Sequence, residues 1–161
     1  MATGILYKAG NIKIAPAEFA LFNGEDTNLI TFKINKVGAI DYVANSRSIF
    51  FNCGTREEDL AMFYSKNPID LTRYNTAKII ISTLEITPNR GVAFGAFAPS
   101  QYNNFMDRNI NSLGLFASKL TWTKNIGGPS EFLLDISNLR GEYYIGFRGS
   151  IVGNIYKILL F

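Results

Sequence analysis

A period of two in the apolar residues, recurring in short runs separated by turn chemistry, constrains this chain more than any other feature. In a β-strand successive side chains point to opposite faces, so residues two apart share a surface. Ile30, Phe32 and Ile34 alternate with Thr31, Lys33 and Asn35, and Ile49, Phe51 and Cys53 alternate with Ser48, Phe50 and Asn52. Ile79 and Ile81 face away from Lys78 and Ser82. Phe132, Leu134 and Ile136 alternate with Leu133, Asp135 and Ser137, and Tyr143, Ile145 and Phe147 alternate with Tyr144, Gly146 and Arg148, which reads as two adjacent strands. The final IYKILLF is apolar on both faces, as expected of a strand covered on both sides by its own sandwich or by another subunit. A helical membrane anchor is excluded, because a span needs about 20 continuous apolar residues and residues 151–161 are interrupted by Gly153, Asn154 and Lys157.

Turn signals punctuate the runs. The stretch NGEDTN precedes the strand at Ile30, and its Asn-Gly pair favours a tight turn. Residues 88–91 (PNRG) read as a hairpin turn after a long strand, and the small residues in GVAFGAFA admit a neighbouring backbone or tighten a bend. Residues 99–112, PSQYNNFMDRNINS, form a polar loop with four asparagines, a length that is often functional or disordered. Two strands are expected around residues 113–117 and 119–124, and residues 55–58 match a helical capping box. Helix-period stretches are scarce, and eight to ten strands are expected. Phe, Tyr, Ile and Thr favour strands, and 13 Phe and 8 Tyr supply a large core. The expected fold is all-β: a two-sheet antiparallel β-sandwich, jelly-roll-like, as one domain over residues 1–161.

Several function classes lose their support from composition alone. The chain has no histidine, which removes the commonest general base, triad partner and transition-metal ligand. No glycine-rich phosphate loop precedes a helix, and no Cys/His set fits zinc, so no cofactor and no metal are expected; calcium through Asp, Asn and backbone oxygens stays open. Two carboxylates could still hydrolyse a glycoside, and Glu57, Glu58 and Asp59 are neighbours, although such a run in a loop reads first as a solvated charge cluster. Sixteen basic against 13 acidic residues, without a basic run, argue against nucleic acid. The single Cys53 reads as a buried thiol. The first ten residues lack the pattern of a signal peptide, so synthesis in the cytoplasm is expected, with no membrane insertion.

What remains is recognition. Sugar sites on β-sandwiches use aromatic rings that stack on C–H faces, beside amides and carboxylates that bond hydroxyls. The candidates are Tyr102, Asn103, Asn104, Asp107 and Arg108 in the polar loop, together with Trp122. For Trp122, between Thr121 and Thr123, the favoured reading is a core tryptophan facing inward with Leu120; for Tyr102 and its neighbours an ordinary surface loop or a subunit contact is the other reading.

Two phrases carry a resemblance. Ile69, Asp70, Leu71, Thr72 and Tyr74, and then Leu134 to Ser137, Leu139, Gly141 and Tyr143 to Ile145, resemble phrases of β-sandwich domains in bacteriophage and prophage virion proteins. The closing phrase is also similar to that of carbohydrate-binding jelly rolls. Each residue has a structural reason: Asp135 and Ser137 prepare a turn, Gly141 permits a positive φ, and Tyr143 and Ile145 return to the core. The resemblance covers the C-terminal two-thirds of the chain. It implies a non-enzymatic virion protein of tail, baseplate or capsid surface that binds host cell-surface glycan. The alternative is a decoration or connector subunit without a ligand. Other virion subunits and further copies of the chain are the implied partners.

Overall fold

A computed structural model describes residues 17–35, 39–53, 60–86, 92–107, 109–122 and 124–161. Twelve strands are found among them, more than the eight to ten expected: β1 (Phe19–Phe22), β2 (Ile30–Asn35), β3 (Ala39–Val43), β4 (Ser48–Asn52), β5 (Leu60–Ser65), β6 (Ile69–Asp70), β7 (Thr76–Ile86), β8 (Val92–Phe97), β9 (Ser118–Trp122), β10 (Ser130–Asp135), β11 (Glu142–Gly149) and β12 (Ile151–Leu160). The single α-helix among the described residues, α1, is Tyr102–Met106. The strands form two antiparallel sheets with the jelly-roll-like sandwich layout. Sheet A runs β10-β7-β12-β4-β3 with β1 added to β12, and sheet B runs β2-β5-β11-β8-β9 with β6 added to β11.

The period-two pattern sorts the side chains as physical chemistry requires. Ile49, Phe51, Ile79, Ile81, Ile155, Ile158 and Leu160 of sheet A meet Phe63, Phe94, Ile145 and Phe147 of sheet B in one core cluster. The terminal strand is central rather than free: β12 lies between β7 and β4. The carbonyl of Phe161 accepts from the amides of Asn75 and Thr76 at 2.6 and 3.1 Å, and Lys78 Nζ sits 5.0 Å from the centroid of the Phe161 ring.

Three local expectations are corrected. Strands β10 and β11 are neighbours in sequence but lie in opposite sheets, so they are not a pair. The same holds for β7 and β8, which lie in opposite sheets and are not the two arms of a hairpin; residues 87–91 themselves lie outside the described residues. Residues 113–117 form no strand: Ser112–Gly114 is a 3-10 turn whose start is fixed by Asn111 Oδ1 accepting from the Leu113 amide at 2.8 Å, and one strand, β9, follows. The capping-box residues 55–58 and the acids Glu57, Glu58 and Asp59 lie outside the described residues.

The two phrases that carry the resemblance dock on each other. Strand β6 pairs with β11, Asp70 opposite Glu142 and Ile69 opposite Tyr143. The Leu71 amide donates to the Gly141 carbonyl at 2.9 Å, and the Gly141 amide donates to Thr72 Oγ1 at 3.0 Å. Gly141 has φ +85°, a left-handed conformation that costs glycine nothing. Asp70 accepts from the Thr72 amide and Asp135 from the Ser137 amide, both at 2.9 Å. Hydrogen bonds from Thr72 and from Ser137 hold these two carboxyls below the usual carboxylate range.

Candidate functional site

Residues 99–107 and 109–112 of the polar loop cover the outer face of sheet B. Pro99 opens a 3-10 turn at a position where its missing N–H is no loss, and the turn passes directly into α1. The helix ends where the Asp107 amide donates to Asn103 O and Asn104 O at 3.0 and 3.2 Å, and Asp107 Oδ1 then accepts from the Asn109 amide at 2.9 Å. Beneath the cover, Phe97, Phe105 and Phe116 join Leu60, Met62, Tyr64, Ala93 and Leu115 in a second buried cluster. Phe105 stacks on Phe97 with centroids 4.2 Å apart, and Phe97 stacks on Tyr144 at 5.2 Å. Gly146 leaves room for this stack, because a Cβ there would stand 2.9 Å from Phe97 Cε1 and 3.0 Å from the Phe63 carbonyl oxygen.

Arg148 closes the far end. Its outward register was legible in the alternation of β11, yet the residue is fully buried because the cover lies over it. The guanidinium donates to the Ile110 carbonyl at 2.8 Å and to the Asp107 carbonyl, so it fixes the chain that leaves α1. Its charge also lies 6.0 Å from the centroid of the Phe105 ring.

The sequence candidates separate into two places. Tyr102 is half-buried on α1, with its hydroxyl 3.2 Å from that of Tyr64 and its ring centroid 5.4 Å from that of the half-buried Tyr144. Burial first, and then the hydrogen bond with Tyr102, push the Tyr64 phenol up to about 12. Asn103, Asn104 and Asp107 are exposed on the same short element, and Asn104 Nδ2 donates to Gln101 Oε1 at 2.9 Å. Arg108 lies outside the described residues. Trp122 is 8% exposed in the inter-sheet core, edge-on to Phe132 at 5.3 Å. It therefore occupies the inner face of sheet B while the loop candidates occupy the outer face. Tyr144 and Tyr64 complete the tyrosine group; in the sequence Tyr144 reads as an alternating strand residue, and Tyr64 lies in a stretch that mixes charge with apolar residues and carries no strand alternation.

Sheet A carries a different surface. Ser46 and Ser48 hydroxyls are 2.7 Å apart, Ser48 donates to Asn154 Oδ1 at 3.0 Å, and Ser82 shares a 3.3 Å contact with the Tyr156 hydroxyl. Asn154 and Ser82 are register partners in β12 and β7, so the polar atoms form a row across the sheet. Beside this row a cleft of about 390 Å³ is lined by the β1–β2 turn, by Ser46 and Arg47, and by Tyr156 and Lys157. Among the described residues no three His, Cys, Asp or Glu side chains gather to hold a metal, and no helix is long and apolar enough to cross a membrane.

By sequence, no family model and no curated protein matches the chain. By structure, it is similar to a carbohydrate-binding module of family 29, with a TM-score of 0.53 at 9% identity, covering 89% of this chain and 87% of that one. It is also similar to the family 11 carbohydrate-binding module from Clostridium thermocellum in complex with a β-1,3-1,4-mixed-linked tetrasaccharide, with a TM-score of 0.51 at 9% identity, covering 89% and 94%. At this identity the likeness is one of fold: the chain has the β-sandwich fold that carbohydrate-binding modules also have.

Proposed function

We propose that the chain is a non-catalytic sugar-binding β-sandwich carried on a bacteriophage virion, at a tail, baseplate or capsid surface, where it holds host cell-surface glycan. The observation that carries the reading is the pair of half-buried rings, Tyr102 and Tyr144, at the edge of α1, next to the exposed amides Asn103 and Asn104. A sugar ring packs its C–H face on such a ring while neighbouring amides bond its hydroxyls. The tetrasaccharide-bound neighbour of the same fold supports the chemistry, and the two phrases around Ile69 and Leu134 support the virion setting. Binding without turnover fits a chain that has no histidine. The Glu57, Glu58 and Asp59 run is the alternative catalytic group, and triple replacement by Ala leaves polysaccharide unchanged in fate if the proposal holds.

The test is affinity gel electrophoresis through polysaccharide from candidate host cells. Wild-type protein is retarded in a saturable way and Tyr102→Ala is not. A folded wild type that no host polysaccharide retards overturns the sugar reading and leaves the decoration or connector role. That second reading is favoured by Leu84 and Leu133, 65% and 58% exposed, on sheet A strands. It no longer draws on the terminal strand, whose Ile155, Ile158 and Leu160 are core residues.

A further inference from the structure

The cleft on sheet A is built, not incidental. Its floor forms where two left-handed residues meet, Gly24 at φ +93° and Arg47 at φ +48°. A Cβ on Gly24 would stand 3.0 Å from the Arg47 carbonyl oxygen and 3.3 Å from that of Tyr156, so three chain segments touch through bare backbone. The Tyr42 hydroxyl pins the same turn by donating to the Gly24 carbonyl at 2.9 Å. Arg47 is the only non-glycine residue with positive φ among those described. Strain of this kind costs about 1–3 kcal/mol and collects at functional positions.

The chemistry of the walls is that of a polyol site with an excess of positive charge. Arg47 and Glu25 form an exposed ion pair at 3.1 Å. A sugar hydroxyl satisfies both members of such a pair, donating to the carboxylate and accepting from the guanidinium. Asn23 Oδ1 is committed to the Glu25 and Asp26 amides at 2.8 and 3.1 Å, which leaves its NH₂ to donate outward. Tyr156 lines the cleft, with its carbonyl against Gly24 and its hydroxyl 3.3 Å from that of Ser82. Glu25 offsets one of the two cations, Arg47 and Lys157, so the lining keeps one positive charge.

We propose that this cleft is a second saccharide site, selective for a sugar that carries an anionic group, carboxylate or phosphate. Arg47 and Glu25 hold hydroxyls, and Lys157 meets the anion. The site stands apart from the Tyr102 site, since it belongs to sheet A and α1 covers sheet B.

The experiment is calorimetric titration of the full chain with tetragalacturonate, glucose 1-phosphate and neutral cellotetraose. One or both anionic probes bind saturably, and which one does so names the anion; cellotetraose binds at least about tenfold more weakly, a gap of the size one lost ion pair gives. Arg47→Gly, which suits the left-handed backbone and removes the side chain, and Lys157→Gln, on an exposed side chain, each weaken anionic binding about tenfold or more. Tyr102→Ala leaves it unchanged. Failure of both anionic probes to bind folded protein overturns the proposal, as does binding that survives both charge replacements. Anionic binding lost in Tyr102→Ala and kept in Arg47→Gly overturns it too, while sparing the sugar reading of the first site.

Discussion

At the scale of single residues, environment rather than residue type decides what a side chain does. Arg148 and Lys33 both fall on the outward register of sheet B strands, but Lys33 is exposed and Arg148 is wholly buried. The period of two in β11 makes the outward register legible; the cover that buries Arg148 comes from a segment about 40 residues earlier, and no local pattern reports it. Gly141 was legible as a positive-φ turn, whereas Arg47 was not, because left-handed arginine has no sequence signal. The tyrosine group gives a pH prediction. Burial and the Tyr102 hydroxyl disfavour the Tyr64 phenolate, raising its pKa from 10.0 to about 12. A raised folded-state pKa stabilises the fold fully below the unfolded value and loses that contribution as pH climbs through the folded one. Stability is therefore expected to decline between about pH 10 and 12, and phenolate absorbance should show one tyrosine titrating late. Tyr102→Phe should move that late titration toward the ordinary range.

At the scale of elements, strand positions were read well and their partners poorly. The alternation located β2, β4, β7, β10 and β11, because burial of one face leaves its mark on each strand separately, and apolarity on both faces located β12. Which sheet a strand joins depends on crossings, and β1 to β2, β2 to β3, β4 to β5, β6 to β7, β7 to β8, β9 to β10, β10 to β11 and β11 to β12 all change sheets. A turn signal looks the same whether the chain reverses or crosses. The apolar C-terminus has its explanation here, since β12 pairs with β7, β4 and β1. Removing residues 156–161 takes away Ile158, Leu159 and Leu160, at about 1.5–3 kcal/mol each, from a fold of about 5–15 kcal/mol. The truncated chain should not fold to a soluble, cooperatively melting protein, which expression and thermal denaturation would check. The cover gives the second element-scale prediction. Arg148→Met keeps apolar bulk but removes the charged donor from the Ile110 carbonyl and one of the two donors of the Asp107 carbonyl, which keeps the Ile110 amide, at about 1.5–3 kcal/mol for each hydrogen bond to a charged group. Amide exchange at residues 107–110 should quicken, with the sandwich core unaffected.

At the scale of the whole molecule, the two outer faces are finished differently. Sheet B is covered by α1 and its flanking turns, and the proposed glycan site is the rim where Tyr102 and Tyr144 are half-buried and Asn103 is exposed. Sheet A carries a polar row, in which Ser48 and Ser82 are buried, and a cleft walled by Arg47 and Lys157. The sandwich architecture could be read from residue pattern because core burial acts on every strand. The rim could be read only in part: Tyr102 and its amides stand out in a polar loop, but Tyr144 comes from β11 and joins them only through folding. Hydrogen exchange with and without saturating host polysaccharide tests the central claim most directly. The account predicts slowed exchange at residues 101–107 and 143–145, abolished by Tyr102→Ala in a protein that still melts cooperatively. Exchange at these residues that polysaccharide does not change would contradict it.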